Sequence, residues 1–136
     1  MAAMSLYLAE ALLNHMMGKV AYSMPSVYLA LCTTLPTAAT PGTEVTAGQY
    51  TNYARQGPIA GSVGSAAPVG GVATTTSSSQ ITWPTSTGGT GATIVAIQAY
   101  DASTSGNALW WAPCSGSVST GNNVAIPAAN LTFSQS

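Results

Sequence analysis

"TIVAIQAYDASTSGNALWWAPC", residues 93–114, decides the fold. Two apolar runs, "TIVAIQAYD" (93–101) and "ALWWAPC" (108–114), flank "DASTSGN", a stretch rich in turn formers. Apolar runs on either side of such a loop predict an antiparallel β-hairpin. Working outward, "SVYLALCT" (26–33) alternates Val27, Leu29 and Leu31 with Tyr28, Ala30 and Cys32, the period of a buried strand. "QITWP" (80–84) reads as a short strand, and "NVAIPAANLTFS" (123–134) as one or two closing strands. "TTLPTAATPGTEVTAGQ" (33–49) carries Pro36, Pro41, Gly42 and Gly48 and predicts a long loop. "YTNYARQGPIAG" (50–61) then predicts a returning strand that ends near Pro58. The small residues of 61–79 form a weak hairpin or an exposed arm, and "STGGTGA" (86–92) a flexible turn.

Seven or eight short strands with frequent turn signals predict a mainly β fold. The expected architecture is an antiparallel β-sandwich or jelly-roll-like domain with one N-terminal α-helix. No internal repeat or domain boundary interrupts the chain. The expectation is a single domain over 1–136, with the helix at about 5–17 and the β-domain at about 26–134. The helix is "SLYLAEALLNHMM", with Ser5 as its cap and Gly18–Lys19 as its stop. Its apolar residues Leu6, Tyr7, Leu8, Leu12, Leu13, Met16 and Met17 exceed one stripe, so one core contact would leave some of them wet. Either its own sheet encloses this helix, or a partner subunit covers the second side. Leu6, Leu13 and Met17 are the candidate interface residues.

Charge is scarce. Of 136 residues only Lys19, Arg55, Glu10, Glu44 and Asp101 are charged, 4% against roughly 25% in a typical soluble domain. Ala, Gly, Ser and Thr fill the gap. With hydrophobic residues at 46% and a net charge of −1, the composition does not match that of a disordered chain. Such neutrality suits a protein packed against neighbours. Two cations make no basic patch, so no nucleic-acid partner is expected. No apolar run approaches the roughly 20 residues of a membrane span, so no membrane role is expected. The N-terminal stretch lacks a leading positive region and contains Glu10, and reads as mature protein rather than a signal peptide. Cys32 and Cys114 are too few for a disulfide framework and read as reduced thiols of a cytoplasmically made protein, with one bridge as the alternative.

Catalytic equipment is thin. His15 is the single histidine and lies within the helix, reading as structural. A Ser/His/Asp set with Asp101 has no supporting motif, and Glu10, Glu44 and Asp101 fall in a helix, a loop and a turn. No ligand spacing for zinc or calcium exists, and "GGTGAT" (88–93) lacks the lysine of a phosphate loop. No catalytic, cofactor or metal residue is therefore assigned. Trp110 and Trp111 are neighbours on a strand, so alternation points one to the core and one outward, toward solvent, a subunit or a sugar. Glu44 and Arg55 stand amid Gly, Thr and Tyr. They are expected to pair, directly or through backbone carbonyls, and to pin the 33–49 loop to the next strand.

"MSLYLAEALLNHMMG", "PSVYLALCTTLPT", "GTEVTAGQYTNYARQ", "ITWP" and "IQAYDASTSGNALWWA", in that order over most of 4–113, resemble a group of small tailed-phage virion proteins. These are often labelled tail-fibre-like, and related small β-proteins of phage heads act as capsid decoration or cement. The pieces "GTEV…Y.RQ" and "YDAS..GN.L" carry the likeness best, with residues added between Gly48 and Tyr53. The resemblance implies a non-enzymatic structural protein of the virion. Its leading form is a cement protein on the capsid exterior that contacts the major capsid protein and itself, as a dimer or trimer. A tail or baseplate component is the alternative, and a carbohydrate-binding module using Trp110 or Trp111 the outsider.

Overall fold

A computed structural model describes residues 3–23 and 25–135. The hairpin predicted from 93–114 is its centre. β6 (Ala92–Tyr100) and β7 (Ala108–Val118) pair antiparallel along most of their length. β2 (Tyr28–Cys32) pairs with the outer side of β6, and β1 (Ala3–Met4) with β7, giving the order β1-β7-β6-β2. β1 precedes the helix and has no periodic signal in the sequence.

The register of β6 against β7 slips twice. Leu109 and Trp110 together oppose Ala99, and Cys114 and Ser115 together oppose Val95. These are β-bulges, which bend a strand and turn its side chains.

A second sheet has the order β3-β4-β9. Its strands are β3 (Ala67–Val69), β4 (Val72–Thr76) and β9 (Thr132–Gln135). Gly70 and Gly71, at φ +58° and +83°, make the tight β3–β4 turn, so the 61–79 stretch holds a hairpin. β5 (Ile81–Thr82) and β8 (Ala125–Ile126) form a third, two-stranded pair. All pairings are antiparallel, and the chain is mainly β with one N-terminal helix, as the sequence predicts.

The predicted strand over 50–58 is replaced. Residues 47–52 turn, with Asn52 at φ +74°, and Gln56 alone bridges to Leu29 through two backbone hydrogen bonds. A short 3₁₀ helix (Ile59–Ser62) follows. The aromatic residues that suggested a strand serve tertiary contacts instead. Tyr50 is fully buried and its hydroxyl donates to the Pro84 carbonyl, while Tyr53 reaches back to β2.

Helix α1 (Leu6–Met16) begins at Ser5, whose Oγ accepts from the Leu8 amide at 3.2 Å and donates to the Ala108 carbonyl. The cap thereby ties α1 to β7. Gly18, at φ +66°, follows the helix as the sequence predicts. The core gathers Leu8 from α1, Leu29 and Leu31 from β2, Ile94 and Leu109 from the central hairpin, and Trp83 and Ile126 beside the small sheet.

Candidate functional site

Glu44 and Arg55 meet. Arg55 Nη2 lies 2.7 Å from Glu44 Oε2, and Nε donates to Oε1 at 3.0 Å. Arg55 Nη1 donates to the carbonyls of Ala102 at 3.0 Å and Ser105 at 2.6 Å. The guanidinium lies 3.6 Å from the centroid of the Tyr100 ring, a cation–π contact. One side chain thus joins the 33–49 loop, the turn after it and the tip of the central hairpin.

Tyr53 extends the cluster. Its hydroxyl donates to Glu44 Oε1 at 2.8 Å and accepts from the Leu31 amide at 3.0 Å. Beneath it, buried Gln98 Oε1 accepts from the Gly42 amide and the Tyr100 hydroxyl, each at 3.0 Å, and from the Cys32 thiol at 3.7 Å. A Cβ on Gly42 would lie 2.6 Å from the Thr34 carbonyl oxygen, so only glycine lets this loop approach. At the hairpin tip Asp101 Oδ1 accepts from the Asn107 amide at 2.7 Å, and Oδ2 from its side-chain amide at 2.9 Å. Gly106 stands at φ +77° with the Asp101 carboxylate where a Cβ would go.

Burial governs the electrostatics. It pushes the Cys32 thiol up to about 12, with Glu44 adding to the rise and Arg55 opposing it. Burial likewise lifts the Tyr100 phenol to about 12 and drives Tyr53 well above the ordinary phenol range. For Arg55, burial alone would lower the value, but the hydrogen bonds and charge of Glu44 outweigh it and the net shift is upward. The functional groups of this cluster are turned toward one another, an arrangement that fixes loops rather than one that presents a nucleophile.

Elsewhere the chemistry is equally closed. His15 Nδ1 accepts from the Tyr22 amide at 3.1 Å. Cys32 and Cys114 are both free thiols, and burial raises the latter as well. Among the described residues no three His, Cys, Asp or Glu side chains gather as metal ligands, and no helix is long and apolar enough to cross a membrane.

The interface candidates lie apart from this cluster. In α1 only Leu8 is buried, while Leu6, Leu13, Met16 and Met17 are exposed. The molecule's own sheets therefore do not enclose the helix. Trp110 packs against the core and tilts over Phe133, with ring centroids 5.7 Å apart. Trp111 is half-buried, and the Nε1 of each ring is covered without a partner. Trp111 is not part of the core cluster, and the bulge falls between Leu109 and Trp110, leaving the step from Trp110 to Trp111 regular. Tyr53, Gln98 and Tyr100 were not among the candidates. Tyr53 stood two places from Arg55 in the quoted motif, but nothing local marks Gln98.

The two pieces that carry the phage resemblance best, "GTEV…Y.RQ" and "YDAS..GN.L", are the two halves of the polar cluster. Glu44, Tyr53 and Arg55 come from one; Tyr100, Asp101, Gly106 and Asn107 from the other. The sequence model of the family described as podophage GP4 fiber I protein gp80 matches residues 3–134. The chain belongs to this podophage fiber I family. It is a small structural protein of a tailed-phage virion. No curated protein matches the chain. In this fiber I family member, three of the five charged residues, Glu44, Arg55 and Asp101, serve as internal fasteners.

Proposed function

We propose that this chain is a non-enzymatic docking component of the phage particle, holding neighbouring subunits by shape through surface that carries almost no charge. One observation carries the reading. With Glu44, Arg55 and Asp101 engaged internally, Glu10 and Lys19 are the remaining charged side chains, and no Asp, Glu, Lys or Arg occurs in 56–100 or 102–136. Small polar and apolar side chains of this kind pack closely against a partner without the cost of desolvating ions.

The family description supports a place in the fibre apparatus of the tail. The density of Ala, Gly, Ser and Thr supports a second reading, a cement on the capsid exterior that clamps neighbouring major capsid subunits. Repetition around a symmetric particle lets individually modest contacts hold through avidity in either place.

Quantitative mass spectrometry of purified virions distinguishes them. A fibre component is expected at a handful to tens of copies, and a shell cement on the order of hundreds, set by the symmetry of each structure. Particles assembled without the protein should adsorb poorly yet keep heat-stable heads. Heads that release DNA at lower temperature, with adsorption intact, would move the protein to the capsid.

A further inference from the structure

The outer side of α1 is apolar and uncovered within the chain. At 3.6 residues per turn, Leu6, Leu13 and Met17 fall on one stripe, opposite the buried Leu8. Leu6 and Leu13 are 60% exposed, Met17 66%, Met16 79% and, just past the helix, Val20 64%. With Tyr7 and without Met16, which lies on the opposite flank, this face presents on the order of 500 Å² to solvent, more than half of the roughly 800 Å² each partner contributes to a standard interface and at the upper end of the largest apolar patch of a monomer.

We propose that a second copy of this chain covers this face, with the two α1 helices crossing antiparallel about a two-fold axis near Leu13. Two features select a second copy as the occupant. An isologous interface must be its own complement, and this one carries both ridge and groove. The Leu6–Leu13–Met17 ridge runs beside a hollow of about 310 Å³ between α1 and the returning chain, whose lining includes Tyr7, Ala11, Val20 and Tyr22. Charge is also self-complementary. Glu10 lies in the first half of α1 and Lys19 just beyond its end, and they are the two charged side chains outside the polar cluster and hairpin tip. Antiparallel crossing carries Glu10 of each copy toward the C-terminal end of the other helix, where Lys19 folds back on Asn14. The proposal concerns the isolated chain and is independent of its position in the virion.

Sedimentation equilibrium of the full chain over the micromolar range tests it. The wild type is expected to dimerise, and Leu13→Asp to weaken the dimer at least about tenfold, because it buries an unpaired charge at the centre. Leu13 is exposed in the monomer, so its circular dichroism should be unchanged; Leu13→Ser serves as a milder second variant. Glu10→Lys should weaken the dimer roughly fivefold, and Glu10→Lys with Lys19→Glu should restore it. Leu13→Cys should yield a disulfide-linked dimer with oxidised glutathione that the wild type, with its own two thiols, does not form. A wild type that stays monomeric, a dimer indifferent to Leu13→Asp, or a double charge swap no better than Glu10→Lys overturns the proposal. So does protection of α1 that arises only inside the virion, which would assign the face to a different subunit.

Discussion

Arg55 engages all three guanidinium nitrogens inside the fold, and its side chain is only 8% exposed. Replacing it with Ala leaves the Glu44 carboxylate with only the Tyr53 hydroxyl and removes the guanidinium from two loop carbonyls. The expected loss is about 2–3 kcal/mol, short of a fully buried pair because Glu44 keeps 27% of its side chain exposed. Denaturant midpoints measure that loss. Hydrogen exchange should quicken at Gly42–Val45 and at Asp101–Asn107 together; unchanged protection at both would show that Arg55 does not fasten the loops. Arg55→Lys keeps the charge but lacks the fork, and should recover less than half of the loss. The pairing was legible because two opposite charges stand out in so neutral a sequence. Its carbonyl partners, 47 and 50 residues away, were not. The pH response follows from the same cluster. Cys32 and Tyr100 are raised to about 12, so the folded state keeps protons that the unfolded state releases near 9 and 10. Their contribution is fully present at neutral pH and is lost as pH climbs from about 9 toward 12. Each proton steepens the fall by about 1.4 kcal/mol per pH unit. Urea midpoints should be level between pH 7 and about 8.5 and then drop, and a level profile through pH 11 would contradict the burial of these groups.

Helix α1 and the central hairpin show what periodicity reveals of an element. The cap at Ser5, the stop at Gly18 and the strands flanking 101–107 all follow from local residue chemistry. The bulges do not, since a two-residue period carries no mark of an inserted residue, and so the shared core contact of adjacent Leu109 and Trp110 escaped the pattern. The turn at 47–52 escaped for another reason. Tyr50 and Tyr53 have high β-propensity, yet their hydroxyls bond to Pro84 and Glu44 across the fold, and tertiary contact overrides propensity. The two faces of α1 give a prediction at this scale. Leu8→Ala, at a position only 2% exposed, should cost about 2–4 kcal/mol. Leu13→Ala should change monomer stability by no more than about 0.5 kcal/mol, measured at concentrations where the chain is dissociated. Equal costs would mean that the helix sits on the β-domain by both faces.

Across the whole molecule, charge is confined to α1 with its stop and to the loops around the central hairpin. Three charged side chains lock loops around the central hairpin, two flank the outer face of α1, and the sheet β3-β4-β9 with the pair β5-β8 carries none. Val69 on β3 is 64% exposed, and each residue of β3 is open to solvent. An edge strand without a guarding charge is ordinarily a liability, here moderated by Pro68 and by the strand's length of 3 residues. In a particle component the same edge is a place where a neighbour can pack. Attachment through such surface depends on excluded water rather than on ion pairs, so raising the salt should not loosen it. In about 1 M NaCl, where the Debye length falls to about 3 Å, the protein should stay on purified virions, whereas moderate urea should release it. Val69→Asp should reduce incorporation without altering the folded monomer, because the new carboxylate costs nothing in water and must be desolvated on docking. Release by salt alone, with Val69→Asp incorporated normally, would instead place the binding on Glu10 and Lys19 and remove the uncharged sheets from the interface.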